Sequence, residues 1–417
     1  MEYNEFFGGL KNRRAAVLGV GVSNRPLMKL LEVAGADVTA LDRRYTGDGY
    51  LDALPDMGAE LIFRSPGIKP FEPQIVEAVR RGAVLTSEME TFMELCPCPV
   101  YAVTGSDGKT TTTTILALLL ERAGMKVFKG GNIGAPLLDR VPEMTAGDAA
   151  VLELSSFQLM TMRKSPHVAV VTNLSPNHLD WHRDMDEYIA AKMNIARFQM
   201  ENDRLVMNYD NELSRITAEK FGLKPTWFTK EHPAIDPAGI KIKGAHNLEN
   251  YLAAIAAAGD LVSEADVREV ARTFGGVEHR MEFVAEIGGV SYYNDSIASS
   301  PTRTIAGLKT FDSKVILILG GKPKVPFDPL TEIVGDYARL VLTVGQASDE
   351  IEREFAGKVP VIPCGTVESA VCKAKELAVH GDAVLLSPAC TSFDQFKNFE
   401  ERGNLFKRLV RGEQYVE

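Results

Sequence analysis

Short apolar runs alternate with longer amphipathic stretches along most of this chain. Residues 14–20 form an apolar run that predicts a strand, residues 26–34 an amphipathic helix, and residues 37–41 a second strand ending at Asp42. Leu61-Ile62-Phe63 predicts another strand, closed by the turn-forming Ser65-Pro66-Gly67. Residues 99–103 read as a strand feeding a helix that runs through residues 115–120. Apolar runs at 149–152 and 168–171 predict further strands, each followed by polar loop residues. Residues 247–258 carry Leu248, Tyr251, Leu252 and Ile255 at helical spacing, and runs at 315–319, 340–344 and 383–386 continue the alternation. Strand–helix alternation throughout predicts an α/β protein with mostly parallel, doubly wound sheets. Ligands of such sheets sit beyond the carboxyl ends of the strands, where most polar clusters of this sequence fall.

Two breaks interrupt the pattern, the proline-rich Leu95-Cys96-Pro97-Cys98-Pro99 and the glycine pair in Phe274-Gly275-Gly276-Val277. They divide the chain into expected domains 1–95, 96–276 and 277–417, which suits a length of 417 residues. Hydrophobic residues at 45% and charged residues at 24% fit an ordinary soluble globular protein. Nothing resembles a signal peptide or a bilayer span, so a cytoplasmic protein without a membrane partner is expected. A net charge of −10 argues against general nucleic-acid binding. Anionic ligands must therefore be captured by local cations and helix ends. The five cysteines are odd in number, and Cys96-Pro97-Cys98 is too short for the usual zinc or redox spacing. Reduced thiols are expected.

The densest chemistry lies at Gly105-Ser106-Asp107-Gly108-Lys109-Thr110-Thr111, between a strand and a helix. Two glycines let backbone N–H groups and the helix N-terminus converge on one point, and Lys109 adds a full charge there. That point suits nucleotide phosphates, with the Thr110 hydroxyl positioned for Mg²⁺. The spacing is shorter than the standard phosphate loop, but five consecutive threonines make a poor helix start by propensity alone, which argues that something else fixes them. Glu153 ends a strand and is expected to face the metal.

Weaker signals surround it. Asn177-His178-Leu179-Asp180-Trp181-His182 packs two histidines and an aspartate into five residues, a density that invites metal binding. Lys192, read alone, is a solvated helix lysine. Asn132 lies in a glycine-flanked turn that suits either substrate contact or a structural loop. Asn247 is expected to cap the helix it begins, with Asn250 in the first turn. Arg280 reads as a nucleotide contact or a surface ion pair. Gly320-Gly321-Lys322-Pro323-Lys324 supplies two cations, and the mixed loop 387–399 suits a small polar substrate. Gly19-Val20-Gly21-Val22-Ser23-Asn24 is an incomplete dinucleotide fingerprint, with Asp42 about twenty residues on.

Taken in order, these segments resemble the Mur ligase family of peptidoglycan synthesis. The motifs are G-[ST]-[ND]-G-K-[ST] at 105–110, E-x-S-S-F at 153–157, N-H-L-D at 177–180, H-N-x-x-N at 246–250, H-R-M-E at 279–282 and N-D-S at 294–296. The blocks 386–390 and 394–399 resemble the D-glutamate-adding branch. The resemblance implies a Rossmann-like UDP-binding domain, a central P-loop ATPase domain and a C-terminal Rossmann-like amino-acid-binding domain. It implies ATP-dependent joining of D-glutamate to UDP-N-acetylmuramoyl-L-alanine through an acyl phosphate, by a monomer. It assigns ATP to residues 105–111, Asn250, Arg280 and Asp295, and one Mg²⁺ to Thr110 and Glu153. A second Mg²⁺ goes to His178 and a carbamylated Lys192. Lys109, Glu153, His178 and Lys192 become the catalytic set. Ser23, Asn24, Asp42, Arg44 and Asn132 are implied for the UDP substrate, and Lys324, Ser392 and Phe399 for D-glutamate, with Lys322 as the alternative lysine. Ile297 stands where many relatives carry lysine, so no cation is carried over to it.

A sister amide ligase or a folylpolyglutamate synthetase would carry a different motif in the 387–399 block. A dehydrogenase leaves the phosphate loop unexplained, and a GTPase lacks its base-reading motif here.

Overall fold

The computed structural model describes residues 2–179, 181–242 and 244–413, so Asp180 lies outside the described residues. Packing divides the chain into two units, Met1–Thr273 and Phe274–Glu417. The first unit holds two sheets, each parallel throughout. One is four-stranded, ordered Asp37–Leu41, Arg14–Leu18, Leu61–Arg64, Val84–Thr86. The other is six-stranded, ordered Thr226–Phe228, Arg204–Asn208, Val168–Val171, Val100–Thr104, Ala149–Glu153, Val127–Gly131.

Strand Val100–Thr104 is buried along its whole length, as a central parallel strand covered on both faces requires. Its neighbours are Ala149–Glu153 on one side and Val168–Val171 on the other. The loop that leaves its carboxyl end therefore emerges between two later strands, where parallel sheets take their ligands. Phe7, Leu27, Phe92, Phe128, Leu152 and Ile195 belong to one apolar cluster that runs across both sheets of this unit.

The second unit carries six strands ordered Glu282–Ile287, Val290–Asn294, Ala383–Leu386, Val315–Gly320, Ala338–Val344, Val361–Gly365. All pairs are parallel except the first two strands, which form a hairpin. Gly288 and Gly289 make its turn with φ of 62° and 76°, the pair of positive values a tight hairpin needs. That edge hairpin is absent from the sequence expectations, because its first strand is only half-buried and its short apolar run, Phe283-Val284-Ala285, is flanked by Glu282 and Glu286.

One helix start needs correction. The helix expected from residue 247 is Ala245–Ala258, and Gly244 stands at its N-cap with φ 107°. Glycine's tolerance of that conformation lets the helix begin two residues early. Asn247 is therefore inside the helix rather than its cap, and Asn250 falls in the second turn, buried. Among the described residues no helix is long and apolar enough to cross a membrane.

Candidate functional site

The phosphate-type loop joins strand Val100–Thr104 to helix Lys109–Arg122. Gly105 has φ 145° and Gly108 φ 77°, and neither leaves room for a side chain. A Cβ on Gly105 would overlap Thr172 Oγ1 and lie 3.1 Å from the Asn173 carbonyl oxygen; one on Gly108 would overlap Asn250 Oδ1. The segment after strand Val168–Val171 holds the loop in place. The N–H groups of Ser106 and Asp107 donate to Asn173 O and Oδ1, each at 2.9 Å, and the Thr172 hydroxyl donates to Asp107 O at 2.6 Å. Ser106 Oγ donates to Ser175 O at 2.9 Å, accepts from Ser175 N at 2.8 Å, and lies 2.9 Å from the Tyr188 hydroxyl.

The threonine run is explained by its contacts. Thr112 and Thr113 are buried, and Thr112 donates to Asn250 Oδ1 at 3.2 Å. Gly108 stands at the N-cap of this helix, so the positive end of the helix dipole opens directly onto the loop. Lys109 Nζ folds back onto the carbonyls of Gly105 and Ser106, at 3.1 and 2.8 Å. A cation held at the mouth of a nest of backbone donors is an anion trap.

Glu153, buried at the end of its strand, accepts from the Thr110 hydroxyl at 2.7 Å and from the Asn132 amide at 2.8 Å. Thr110, Glu153 and Asn132 are thus gathered at one point beside the loop. Lys192 corrects its surface reading: its residue is only 2% exposed, on the buried face of helix Met185–Arg197. Its Nζ donates to Gly105 O at 2.7 Å and sits 4.6 Å over the Tyr188 ring. Burial foremost, and the Lys109 charge next, pushes this amine well below the usual lysine range.

The histidine pair separates into two roles. His182 is built into the interior: Nε2 is 2.9 Å from Ser156 Oγ, Nδ1 is 3.4 Å from Glu187, and burial lowers its pKa. His178 adopts φ 54° and packs edge-on at 5.0 Å against Phe157. Phe157 also stacks on His182 and touches Trp181, so the E-x-S-S-F segment props up the histidine loop. No trio of His, Cys, Asp and Glu side chains gathers as a metal site among the described residues.

At the N-terminal loop, Asp42 accepts from Val20 N at 2.6 Å and pairs with Arg44, which lowers its pKa. Arg44 also donates to Val20 O at 2.6 Å, while more than half of its side chain stays exposed. Asn24 is turned inward, donating to Gly19 O at 2.8 Å, and Ser23 stands at the N-cap of Asn24–Val33 without a capping hydrogen bond. Sequence reading missed Arg64. Its guanidinium donates to the carbonyls of Pro66 and Ile68 and reaches across to Phe157 O at 3.0 Å and Thr161 Oγ1 at 3.2 Å. It ties the loop after strand Leu61–Arg64 to the segment that packs against His178. An arginine closing an apolar strand was the available signal.

In the second unit, Arg280 and Asp295 line a cavity of 150 Å³ with Met281, Arg303 and Gly307. Asp295 accepts from Met281 N at 3.2 Å and from Ser387 Oγ at 2.8 Å, and burial raises its carboxyl to about 7. A separate corner collects the 320–324 and 390–399 segments. Lys322 exchanges backbone hydrogen bonds with Thr391 at 2.9 and 3.0 Å, beside buried Ser392, and both Lys322 and Lys324 have exposed side chains. Phe399 O accepts from Ser296 at 2.8 Å. Arg402, also missed from sequence, is almost fully buried and donates to Ser296 O at 2.8 Å and Cys390 O at 3.2 Å, bracing this corner.

Five non-glycine residues have positive φ among the described residues: Asn12, His178, His279, Met281 and Ala389. Four of them fall in the motifs quoted above. Backbone strain of about 1–3 kcal/mol per residue persists only where surrounding structure enforces it, and it concentrates at functional sites.

A glycine-pinned loop on a parallel sheet, with a cation and a strand-end acid, defines a P-loop nucleotide-binding α/β protein. Comparison with known proteins gives the family. Residues 103–236 match the Mur ligase middle domain, and residues 279–390 match the Mur ligase glutamate ligase domain. The chain is 46% identical to the UDP-N-acetylmuramoylalanine–D-glutamate ligase of Acetivibrio thermocellus, over 98% of each protein. It is also 46% identical to the enzyme of that name from Ruminiclostridium cellulolyticum, over 97% of this chain and 98% of that one. The crystal structure of MurF ligase from Thermotoga maritima in complex with ADP shares the fold, with a TM-score of 0.57, 18% identity, and coverage of 98% of this chain and 97% of that one. The chain belongs to the Mur ligase family.

Proposed function

We infer that this protein is an ATP-dependent ligase that joins D-glutamate to UDP-N-acetylmuramoyl-L-alanine in peptidoglycan precursor synthesis. The observation that carries the reading is near full-length identity of 46% to ligases of that name. In the proposed reaction the alanyl carboxylate takes the γ-phosphoryl group of ATP, giving an acyl phosphate and ADP. The D-glutamate amine then attacks the acyl carbon, and inorganic phosphate leaves from the tetrahedral adduct. A carboxylate is a poor electrophile, so its oxygen must first become a good leaving group.

Residues 105–111, with the N-terminus of helix Lys109–Arg122 and the Lys109 ammonium, suit the triphosphate, whose negative charge otherwise repels the acceptor carboxylate, while the Ser106 and Asp107 N–H groups fix the loop on Asn173. Asn250, held against Gly108, and the Arg280–Asp295 cavity are proposed to bind the rest of the nucleotide, with Asp295 near the ribose. The donor set beside the loop fits Mg²⁺: a buried carboxylate and a hydroxyl are hard oxygen ligands, and this ion completes its shell with phosphates and water. Thr110 and Glu153 would hold one ion, His178 and a carbamylated Lys192 another. Bound magnesium would neutralise charge developing on the transferring phosphoryl group. Burial of Lys192 supports the modification, because only a neutral amine adds to CO₂, releasing a proton and leaving a carboxylate-like oxygen ligand. Asn132, hydrogen-bonded to Glu153, is proposed to meet the muramoyl substrate.

Ser23 and Arg44 are proposed to contact uridine diphosphate, while Asn24 and Asp42 shape the loop that receives it. Lys324, Ser392 and Phe399 are proposed to hold D-glutamate. We propose that residues 1–95, 96–276 and 277–417 act as the UDP-substrate, ATP and amino-acid domains of a cytoplasmic monomer. The acidic balance supports the absence of a nucleic-acid partner.

The test is phosphate release with a panel of amino acids, with product mass as second readout. Turnover is expected only with UDP-N-acetylmuramoyl-L-alanine, ATP and D-glutamate together. Equal turnover with L-glutamate or meso-diaminopimelate would overturn the specificity.

A further inference from the structure

The connector between helix Glu88–Leu95 and strand Val100–Thr104 contains a dithiol that the ligase reading does not use. Its sequence, Cys96-Pro97-Cys98, does not match the usual metal or redox spacings. The fold makes that spacing irrelevant. Residues two apart in extended chain point to the same side, and Cys96 has extended backbone at φ −64° and ψ 121°. Pro97 and Pro99 keep the connector from continuing the helix. As a result Cys96 Sγ and Cys98 Sγ lie 3.5 Å apart, with no other residue between them. Cys96 is half-buried and reachable from solvent, whereas Cys98 is buried.

We propose that Cys96 and Cys98 form a reversible oxidation site, which closes to a disulfide when a peroxide oxidises Cys96. The steps balance. The Cys96 thiolate attacks one peroxide oxygen and the O–O bond breaks, leaving a sulfenic acid and hydroxide. The Cys98 sulfur attacks the sulfenic sulfur, the S–O bond breaks, and its thiol proton leaves with the oxygen as water. In sum two thiols and one peroxide give one disulfide and two waters, with two electrons passing from sulfur to oxygen. Closure needs each sulfur to move little: the gap must shrink by about 1.5 Å to reach a disulfide length of about 2.05 Å.

Asymmetry favours this order of events. The contact with Cys98 chiefly, and the Lys164 charge more weakly, lowers the Cys96 thiol below its ordinary range. The same contact together with burial raises Cys98. The more exposed partner is thus the better thiolate, and its neighbour is positioned to capture the sulfenic acid before further oxidation. The other thiols differ. Cys364, Cys372 and Cys390 are not partnered with another sulfur, and Cys390 is buried with its thiol pushed up to about 12.

The experiment uses the full chain carrying Cys372→Ser, which removes the exposed cysteine. The protein is treated with a few equivalents of hydrogen peroxide, then denatured, alkylated and digested. The peptide containing residues 96–98 is expected to lose 2 Da and to resist alkylation, while Cys364 and Cys390 alkylate fully. Dithiothreitol should restore two alkylation sites. In Cys98→Ser, the capture step is gone, so Cys96 should instead be trapped by dimedone as sulfenic acid. Full alkylation of both cysteines after peroxide would overturn the proposal. So would accumulation of Cys96 sulfinic acid at +32 Da while Cys98 is present, or equal dimedone labelling with and without Cys98.

Discussion

Gly105→Ala isolates the requirement that the phosphate loop places on its first glycine. The native φ of 145° lies where L-residues are rarely found, and holding alanine there costs about 1–3 kcal/mol. The new Cβ would also displace Thr172 Oγ1, which donates to Asp107 O at 2.6 Å and lies 3.3 Å from Thr104 O. Loss of those contacts adds about 1 kcal/mol each, and the Asn173 backbone, 3.1 Å from the Cβ, cannot swing aside as a side chain can. The sum is about 3–5 kcal/mol, which the protein meets either by losing stability or by moving the loop. A displacement near 1 Å at reacting groups costs about 10²-fold in rate. Gly124→Ala is the matched control, since Gly124 also has positive φ, 86°, but nothing within 4 Å. It bears only the left-handed cost of about 1–2 kcal/mol. Thermal melts and phosphate-release kinetics on both variants separate crowding from strain. Gly105→Ala is expected to melt lower than the control and to lose at least about 10²-fold in kcat, with part of the stability returning in Gly105→Ala/Thr172→Ala. If Gly105→Ala matches Gly124→Ala in both measurements, the account of the loop is wrong.

Other sites give sharper chemical tests. Lys192→Ala should lower kcat by about 10² or more, and formate or acetate should restore part of it by supplying the missing carboxylate; an active variant indifferent to these acids would exclude the ligand role. Burial raises the Asp295 carboxyl from 3.8 to about 7, so the folded protein holds this proton more tightly than the unfolded chain. Its stabilising contribution is therefore complete below about pH 4 and is lost as pH rises through 7. Calorimetry should show the second unit melting lower at pH 8 than at pH 5, with a smaller difference in Asp295→Asn; an unchanged difference would remove Asp295 as its source. Lys324→Ala should raise KM for D-glutamate about 10- to 150-fold, the value of one charge-assisted hydrogen bond of about 1.5–3 kcal/mol, with KM for ATP unaltered. A larger effect from Lys322→Ala would transfer the role to that residue.

What sequence made legible, and what it hid, follows from how locally each feature is encoded. Gly105 and Gly108 announce positive φ by residue type, so the loop is readable wherever it occurs. Its clamp is not, because Thr172, Asn173 and Ser175 are brought to it only by the pairing of Val100–Thr104 with Val168–Val171. Lys192 misleads for a related reason. It falls with Tyr188, Ala191, Ile195 and Ala196 at the i, i+3, i+4, i+7 spacing of the helix's buried face, opposite exposed Asp186, Ala190 and Arg197. Position thus marked it as interior while its residue type argued for solvent, and only the family resemblance gave that lysine a role. Asn247 was misread because a glycine in an unusual conformation competes with the favoured asparagine cap. Arg64 and Arg402 follow the same logic from the opposite side, since each is a long cation sunk among carbonyls, and only Arg64, closing an apolar strand, leaves a local trace of it.

The strained residues carry this argument furthest. His178, His279, Met281 and Ala389 hold a conformation that their own side chains disfavour, and no propensity scale would assign it. Natural sequences violate local rules mainly where function demands it and tertiary structure offsets the cost. At Met281 the compensation is visible: its N–H donates to Asp295, whose other oxygen accepts from Ser387, so the strained turn is fastened from beneath. Arg280 lies between two such residues, His279 and Met281. The turn thus aims one cation at the 150 Å³ cavity, and relaxing it would turn that charge away from the cavity without removing any of the side chains that line it.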